Sequence, residues 1–155
     1  MFVFLVYLIQ LQRLVLLMVI LVTATSTTSL KPNTMHTMEG TWELQSFYNY
    51  DGQEVTDTAK IQEGYRQVKM YYDGKVMWSR TDPNDTIGRF GYGSYRITDT
   101  DLIETIEYGD YHMMKALDTL REFTFELVLK DNTYSQISID ADGNRTFSEN
   151  YKRIN

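Results

Sequence analysis

A small set of charged and polar side chains recurs at alternate positions of strand-like runs rich in aromatic residues. Lys69 and Arg80 are its cations, and two cations that face one space could hold a carboxylate or another anionic group. Glu104 is its acid, and if burial raised its pKa it could act as a general acid or base. The other members are polar but uncharged: Gln67, Tyr95 and Gln136.

Residue types that commonly carry catalysis or bind metals are scarce in this chain. The 155 residues include no cysteine and two histidines, and these, His36 and His112, fall in separate predicted segments. A zinc site needs three or four converging ligands, and a serine nucleophile needs a neighbouring base, which Ser94 lacks. We therefore expect a protein that is not an enzyme and that binds no metal or cofactor.

Short turns determine which of these side chains share a face, because side chains alternate with a period of two along a strand. The Asp-Gly pair at 73–74 predicts a two-residue type I′ hairpin turn, and further turns are predicted at 98–101 and 131–132. These turns place Lys69 opposite Trp78, Gln67 opposite Arg80, Tyr95 opposite Glu104, and Gln136 on the face of Phe125 and Leu127. We take the Trp78 face as the interior because the bulkiest aromatic side chain gains most from burial.

The elements that position these residues are predicted to be β-strands. Runs rich in tyrosine, phenylalanine, valine, isoleucine and threonine recur between turn residues, which is typical of a β-barrel or sandwich. The predicted strands are Thr41–Tyr48, Tyr65–Tyr72, Lys75–Thr81, Phe90–Ile97, Leu102–Tyr108, Glu122–Lys130, Thr133–Asp140 and Arg145–Arg153. These eight consecutive strands predict an all-β fold, a single antiparallel up-and-down β-barrel, with a β-sandwich as the alternative. The longer links Gln53–Gly64 and Asp110–Leu120 are predicted as short helical or lid segments, the second because its apolar residues recur at helical spacing.

Trp42 in the first strand and Arg153 in the last are suited to close one end of a barrel. The guanidinium would lie over the indole in a cation–π contact of roughly 0.5–2 kcal/mol. With the runs around them, these residues resemble the lipocalins, in particular small exported lipocalin-like proteins of bacteria. The motifs that carry the resemblance are Glu39–Leu44, Tyr72–Trp78, Gly91–Tyr95, Glu104–Tyr108 and Tyr151–Arg153. The resemblance implies a calycin-type barrel and no catalytic residue.

Two hypotheses follow for the interior, which in a barrel of eight strands is either filled by side chains or holds one small ligand. In the first, it binds a small amphipathic or hydrophobic ligand, with an anionic ligand as one option, through Lys69, Trp78, Arg80, Tyr95, Glu104, Phe125, Leu127 and Gln136. In the second, the charged groups satisfy one another inside a filled barrel, which then acts as a secreted or cell-surface module that binds or inhibits other proteins. If the opposite face points inward, Lys69 and Arg80 lie in solvent instead.

The N-terminal segment differs in composition from the rest of the chain. Arg13, the apolar run 14–22 and the small polar residues after it predict a secretory signal peptide over residues 1–24, with a membrane anchor over residues 1–22 as the alternative. Residues 25–38 are predicted as a disordered tether and residues 39–155 as the barrel domain. The net charge of −6 without a basic cluster argues against nucleic acid as a partner. We expect an exported protein, periplasmic or secreted, that meets a membrane only through this segment.

Overall fold

A computed structural model of the protein describes Gln12, Arg13 and residues 37–155. The predicted leader, apart from the helical residues Gln12 and Arg13, and the predicted tether up to residue 36 lie outside the described residues. The strands belong to a compact unit, His36–Asn155. Within the described ranges, no helix has the length and apolarity that a membrane crossing requires.

Antiparallel strands form most of the regular structure of this unit. In chain order they are β1 (Gly40–Asp51), β2 (Glu54–Ala59), β3 (Arg66–Tyr72), β4 (Lys75–Thr81), β5 (Arg89–Ile97), β6 (Asp101–Gly109), β7 (Glu122–Leu129), β8 (Thr133–Ile139) and β9 (Arg145–Arg153), with a helix, α1 (Tyr111–Leu117), between β6 and β7. Each strand from β3 to β9 pairs with the next, and β1 pairs with both β3 and β9. The sheet therefore closes on itself, which confirms the predicted antiparallel barrel.

β2 is a strand that the sequence analysis missed. The prediction of a helical or lid segment over Gln53–Gly64 is wrong, because β2 forms a hairpin with the end of β1. Gly52, in the turn of this hairpin, has a positive φ of 63°, a conformation that glycine adopts at little steric cost. The β-branched residues of β2 favour an extended backbone. β2 pairs with Phe47–Asp51 of β1 and β3 pairs with Gly40–Glu43, so that both strands lie along the same edge of β1.

The hairpin registers predicted from the turns are confirmed. Asp73 and Gly74 have φ values of 46° and 70°, as a type I′ turn requires. Opposite residues are Lys69 and Trp78, Gln67 and Arg80, Tyr95 and Glu104, and Leu127 and Gln136. The buried polar residues include Gln67, Lys69, Glu104 and Gln136. The face assigned to the interior is therefore the interior face.

Trp42 closes one end of the barrel. Its side chain is fully buried, and its indole Nε1 donates a hydrogen bond of 2.8 Å to the Met38 carbonyl oxygen. The Arg153 guanidinium carbon lies 4.0 Å from the indole centroid, which confirms the predicted cation–π contact. Met38, at the end of the predicted tether, is itself buried in the core, so ordered packing begins before residue 39.

The second predicted helical segment is confirmed, since α1 forms within Asp110–Leu120. Leu117 is buried in the core and Met113 is packed against it, whereas Met114 and Leu120 are exposed. β3 ends beside Gly40, so by antiparallel alternation β4 and β6 start at the Trp42 end and run away from it, and α1 follows β6. It therefore lies at the opposite end of the barrel from the Trp42 closure.

Candidate functional site

A cavity of about 200 Å³ lies inside the barrel, toward the end that carries α1. β3, β4 and β5 contribute Gln67, Lys69, Trp78, Arg80 and Arg89 to its lining. The other lining residues come from α1 and from β6 to β9: Glu104, Ile106, Met113, Phe123, Phe125, Gln136 and Glu149. The barrel is thus packed with aromatic side chains at the Trp42 end and hollow at the other.

The structure brings six of the predicted ligand-binding residues to this cavity: Lys69, Trp78, Arg80, Glu104, Phe125 and Gln136. Tyr95 and Leu127 lie outside its lining. The Tyr95 ring packs edge-on against Tyr71, with ring centroids 4.8 Å apart. Leu127 packs against the hydrophobic core. These two predicted positions therefore belong to the packed part of the interior.

Several lining residues were not among the predicted ligand-binding set. Phe123 lies on the same alternating face as Phe125, so its position could have been read from the sequence. Arg89 falls one residue before the predicted strand Phe90–Ile97. In the structure β5 starts one residue earlier, at Arg89, and this residue lines the cavity. Glu149 is four residues before Arg153, whose side chain lies over Trp42. Because residues at even spacing along a strand share a face, this spacing indicated that the Glu149 side chain points inward.

Lys69 and Glu104 form a buried ion pair at the base of the cavity. The Lys69 Nζ donates to both carboxylate oxygens of Glu104 at 3.0 and 3.1 Å, and to the Gln136 Oε1 at 2.7 Å. The Tyr71 hydroxyl donates to Glu104 at 2.5 Å. The hydrogen-bonding capacity of the ammonium group is therefore used within the protein, and Glu104 takes Tyr71 rather than Tyr95 as its phenolic partner.

Glu149 is the second acid of the cavity. Its Oε2 accepts hydrogen bonds from the Gln67 and Gln136 side-chain amides at 3.1 and 3.0 Å and from the Tyr151 hydroxyl at 2.5 Å. Burial, reinforced by the Glu149 charge, raises the pKa of Tyr151 well above its usual value of 10.0. Tyr151 therefore stays protonated and remains a donor to Glu149 at neutral pH.

Arg80 and Arg89 lie directly opposite each other on β4 and β5, and both line the cavity. Like charges at opposite positions destabilise an antiparallel pair. The Arg89 Nε donates to an Asp110 carboxylate oxygen 3.1 Å away, whereas no carboxylate among the described residues forms an ion pair with Arg80. Arg89 thus has a carboxylate partner, whereas Arg80 has none within ion-pair distance among the described residues.

Asp110 joins this arginine pair to α1. Its Oδ1 accepts hydrogen bonds from the backbone N–H groups of His112 and Met113, and its Oδ2 accepts them from Arg89 and the Phe90 N–H. Burial acts to raise the pKa of Asp110, but these hydrogen bonds outweigh it and lower the pKa below its usual 3.8. Asp110 is therefore ionised at neutral pH, and both its oxygens are engaged.

Solved structures with a similar fold come from two Bacteroides species. A lipocalin-like protein from Bacteroides uniformis matches with a TM-score of 0.53 and 12% identity, over 75% of this chain and 97% of that one. An uncharacterized protein from Bacteroides eggerthii matches with a TM-score of 0.50 and 15% identity, over 74% of this chain and 98% of that one. The fold is lipocalin-like. These structural matches confirm, at the level of the fold, the resemblance inferred from the sequence. No family model and no curated protein matches the sequence significantly.

The cavity of this lipocalin-like barrel has two chemically different sides. Trp78, Ile106, Phe123, Phe125 and Met113 supply apolar and aromatic surface. The polar side combines the saturated Lys69–Glu104 pair with groups that retain hydrogen-bonding capacity, above all the Arg80 guanidinium. The lining thus offers apolar and polar surface in similar amounts, and in small-molecule sites the polar groups fix the orientation of a ligand whose body contacts the apolar surface. The arrangement is suited to hold a molecule with an apolar body and a charged group.

Proposed function

We propose that this lipocalin-like protein binds a small molecule with an apolar body and an anionic group inside its barrel, without converting it, after export from the cytoplasm. The observation that carries the proposal is the pair of opposed arginines, Arg80 and Arg89, beside a single carboxylate, Asp110. A second anion between the guanidinium groups would relieve their repulsion and form charge-assisted, bidentate hydrogen bonds.

The size of the cavity limits the ligand. A dry cavity of about 150 Å³ in a protein core accepts a benzene molecule, so about 200 Å³ has room for one ring and a short polar substituent. Phe125 and Trp78 offer aromatic surface to such a ring. A monocyclic aromatic carboxylate therefore fits the volume and the chemistry of the site.

The head group is assigned to Arg80 and Arg89 rather than to Lys69. The sequence hypothesis gave Lys69 and Arg80 this role together, but the Lys69 ammonium group has three acceptor atoms within 3.1 Å, two on Glu104 and one on Gln136. Breaking the buried pair would leave a desolvated charge on Glu104. An anion that binds at the arginines meets no such cost.

The cavity also bears on the alternative of a filled barrel that serves only as a protein-interaction module. That hypothesis needs an interior occupied by side chains, and about 200 Å³ exceeds the space of a single ordered water, roughly 30 Å³. The cavity supports the binding hypothesis over this alternative. Glu104, the candidate acid or base, accepts hydrogen bonds from Lys69 and Tyr71, and this engagement within the protein supports binding without catalysis.

Isothermal titration calorimetry with a matched pair of ligands tests the proposal. We expect 3-phenylpropionate to bind about tenfold or more tightly than 3-phenylpropanol, because charged partners strengthen hydrogen bonds to arginine. Arg80→Gln should abolish this preference. Arg66→Gln is the control, since Arg66 is exposed and pairs with Glu43. Equal affinity for both ligands, or failure of 3-phenylpropionate to bind, would contradict the proposal.

A further inference from the structure

Glu149 places a negative charge in the same cavity without a cation to balance it. Its Oε2 holds three donors, while within the described part of the chain no donor reaches Oε1 and no cation forms an ion pair with the carboxylate. Glu149 therefore presents, to the cavity that it lines, a carboxylate oxygen that has no hydrogen-bond donor among the described residues.

Arg80 and Glu149 both lie close enough to the Tyr65 phenol to act on its pKa. The Tyr65 hydroxyl donates to the Gln67 Oε1 at 2.7 Å, and Gln67 donates to Glu149. Burial raises the pKa of Tyr65; the Arg80 guanidinium offsets part of this rise, and the Glu149 carboxylate adds to it. Opposite charges thus flank one region of the cavity, yet they form no ion pair with each other.

We propose that the occupant of the cavity is a small zwitterion, which carries an ammonium group for Glu149 as well as an anionic group for Arg80 and Arg89 on an apolar or aromatic body. This inference rests on the proposed function and narrows its ligand class. An ammonium group would complete the coordination of the Glu149 Oε1 by a charge-assisted hydrogen bond. The bound molecule would then neutralise both charges that the protein leaves unbalanced.

An organic cation fits the Glu149 oxygen better than a metal ion does. Metal sites in proteins collect several carboxylate, imidazole or thiolate ligands. Nowhere in the described residues do three or more such side chains converge. The single free carboxylate oxygen, with aromatic residues near it, is instead typical of a site for an ammonium group.

A ligand series on the unmodified protein tests the inference: phenylalanine, phenyllactate and 3-phenylpropionate differ only in the group next to the carboxylate. By calorimetry, we expect phenylalanine to bind about tenfold or more tightly than 3-phenylpropionate, because a hydrogen bond between charged groups contributes at least that factor. Phenyllactate, whose hydroxyl donates without charge, should fall between the two.

Glu149→Gln should remove the preference for phenylalanine over 3-phenylpropionate, as expected for loss of one charge-assisted contact. The control is Glu107→Gln, because Glu107 pairs with Lys75 on the exposed surface and should not alter either affinity. Binding of 3-phenylpropionate in an Arg80-dependent manner, with no gain from the amine, would overturn this inference and leave the proposed function standing. If none of the three ligands binds, the proposed function itself is overturned.

Discussion

Lys69 and Glu104 show how one pair of residues serves the fold rather than the ligand. Their side chains are about 5% and 4% exposed, and the partners of both groups belong to the protein. A buried ion pair contributes little net stability compared with apolar residues, but removal of one partner is costly because the other charge is then left unpaired. The pair therefore forms a fixed polar part of the cavity lining.

Lys69→Met is expected to destabilise the protein by about 3–5 kcal/mol, since it leaves the buried Glu104 carboxyl without its cationic partner. Adding Glu104→Leu to Lys69→Met should recover a large part of that loss. Urea denaturation measures both. Lys75→Met serves as the control, because Lys75 and Glu107 form an exposed pair and their loss should not change the midpoint. Equal effects of Lys69→Met and Lys75→Met would contradict this assignment.

The buried phenols predict a loss of stability in alkali. Burial raises the pKa of Tyr71, Tyr134 and Tyr151 well above 10.0, so above that pH the unfolded chain loses protons that the folded chain keeps. The stability from this effect is complete below pH 10.0 and declines above it, by about 1.4 kcal/mol per pH unit for each such group.

Urea unfolding followed from neutral pH to above pH 10.0 measures this decline, and tyrosinate absorbance identifies its source. The three buried tyrosines should ionise only as the protein unfolds, so part of the tyrosinate absorbance should appear together with the unfolding transition. A single titration of all tyrosines in a chain that is still folded would refute the assignment.

At the scale of the elements, turns determined what the sequence could predict. The Asp73-Gly74 turn fixes the β3–β4 register, and that register placed Lys69, Trp78 and Arg80 on the interior face correctly. β2 was missed because five of its six residues are exposed. Without a buried face there is no apolar alternation from which to recognise a strand.

The residues of the cavity lining were predictable only on strands that a short hairpin turn joins to the next strand in sequence. Glu149 reaches its partners Gln67 and Gln136 because β9 pairs with β1 and β8, and the closure of β9 on β1 is a long-range contact that no turn specifies. The opposition of Arg80 and Arg89 likewise depends on where β5 begins, after a long link. Element boundaries and closure therefore limited the prediction of the site.

The close approach of β5 to β6 requires a glycine at position 93, and this requirement can be tested. It follows an irregularity in the β5–β6 register, and a Cβ at this position would lie 2.1 Å from the Thr105 carbonyl oxygen. Since a backbone atom cannot move aside as a side chain can, Gly93→Ala should cost about 3 kcal/mol or more, the upper range for overpacking.

Gly88→Ala is the matched control, because the nearest atom to its Cβ would be 3.9 Å away. It should change stability by no more than about 0.5 kcal/mol. Thermal unfolding of both variants distinguishes the two sites. If Gly93→Ala unfolds at the same temperature as Gly88→Ala, β5 and β6 are not as close as described.

At the scale of the whole molecule, the barrel has one closed end and one end that holds the cavity. Trp42 and Arg153 close the first, and the rings of Tyr71, Tyr134 and Tyr151 pack above them. The cavity lining carries charges of both signs, with Lys69, Arg80 and Arg89 against Glu104 and Glu149, while Asp110 pairs with Arg89. We propose that the arginine side of this lining takes the anionic group of a small ligand.

The most direct measurement of this central claim is a crystal structure of the protein with 3-phenylpropionate bound. We predict electron density for the ligand inside the barrel, with the ring against Phe125 or Trp78 and the carboxylate within hydrogen-bond distance of Arg80 and Arg89. Crystals of Arg80→Gln grown under the same conditions should show no such density. The account would be contradicted if the ligand lay outside the barrel, or if its carboxylate bound Lys69 in place of Glu104.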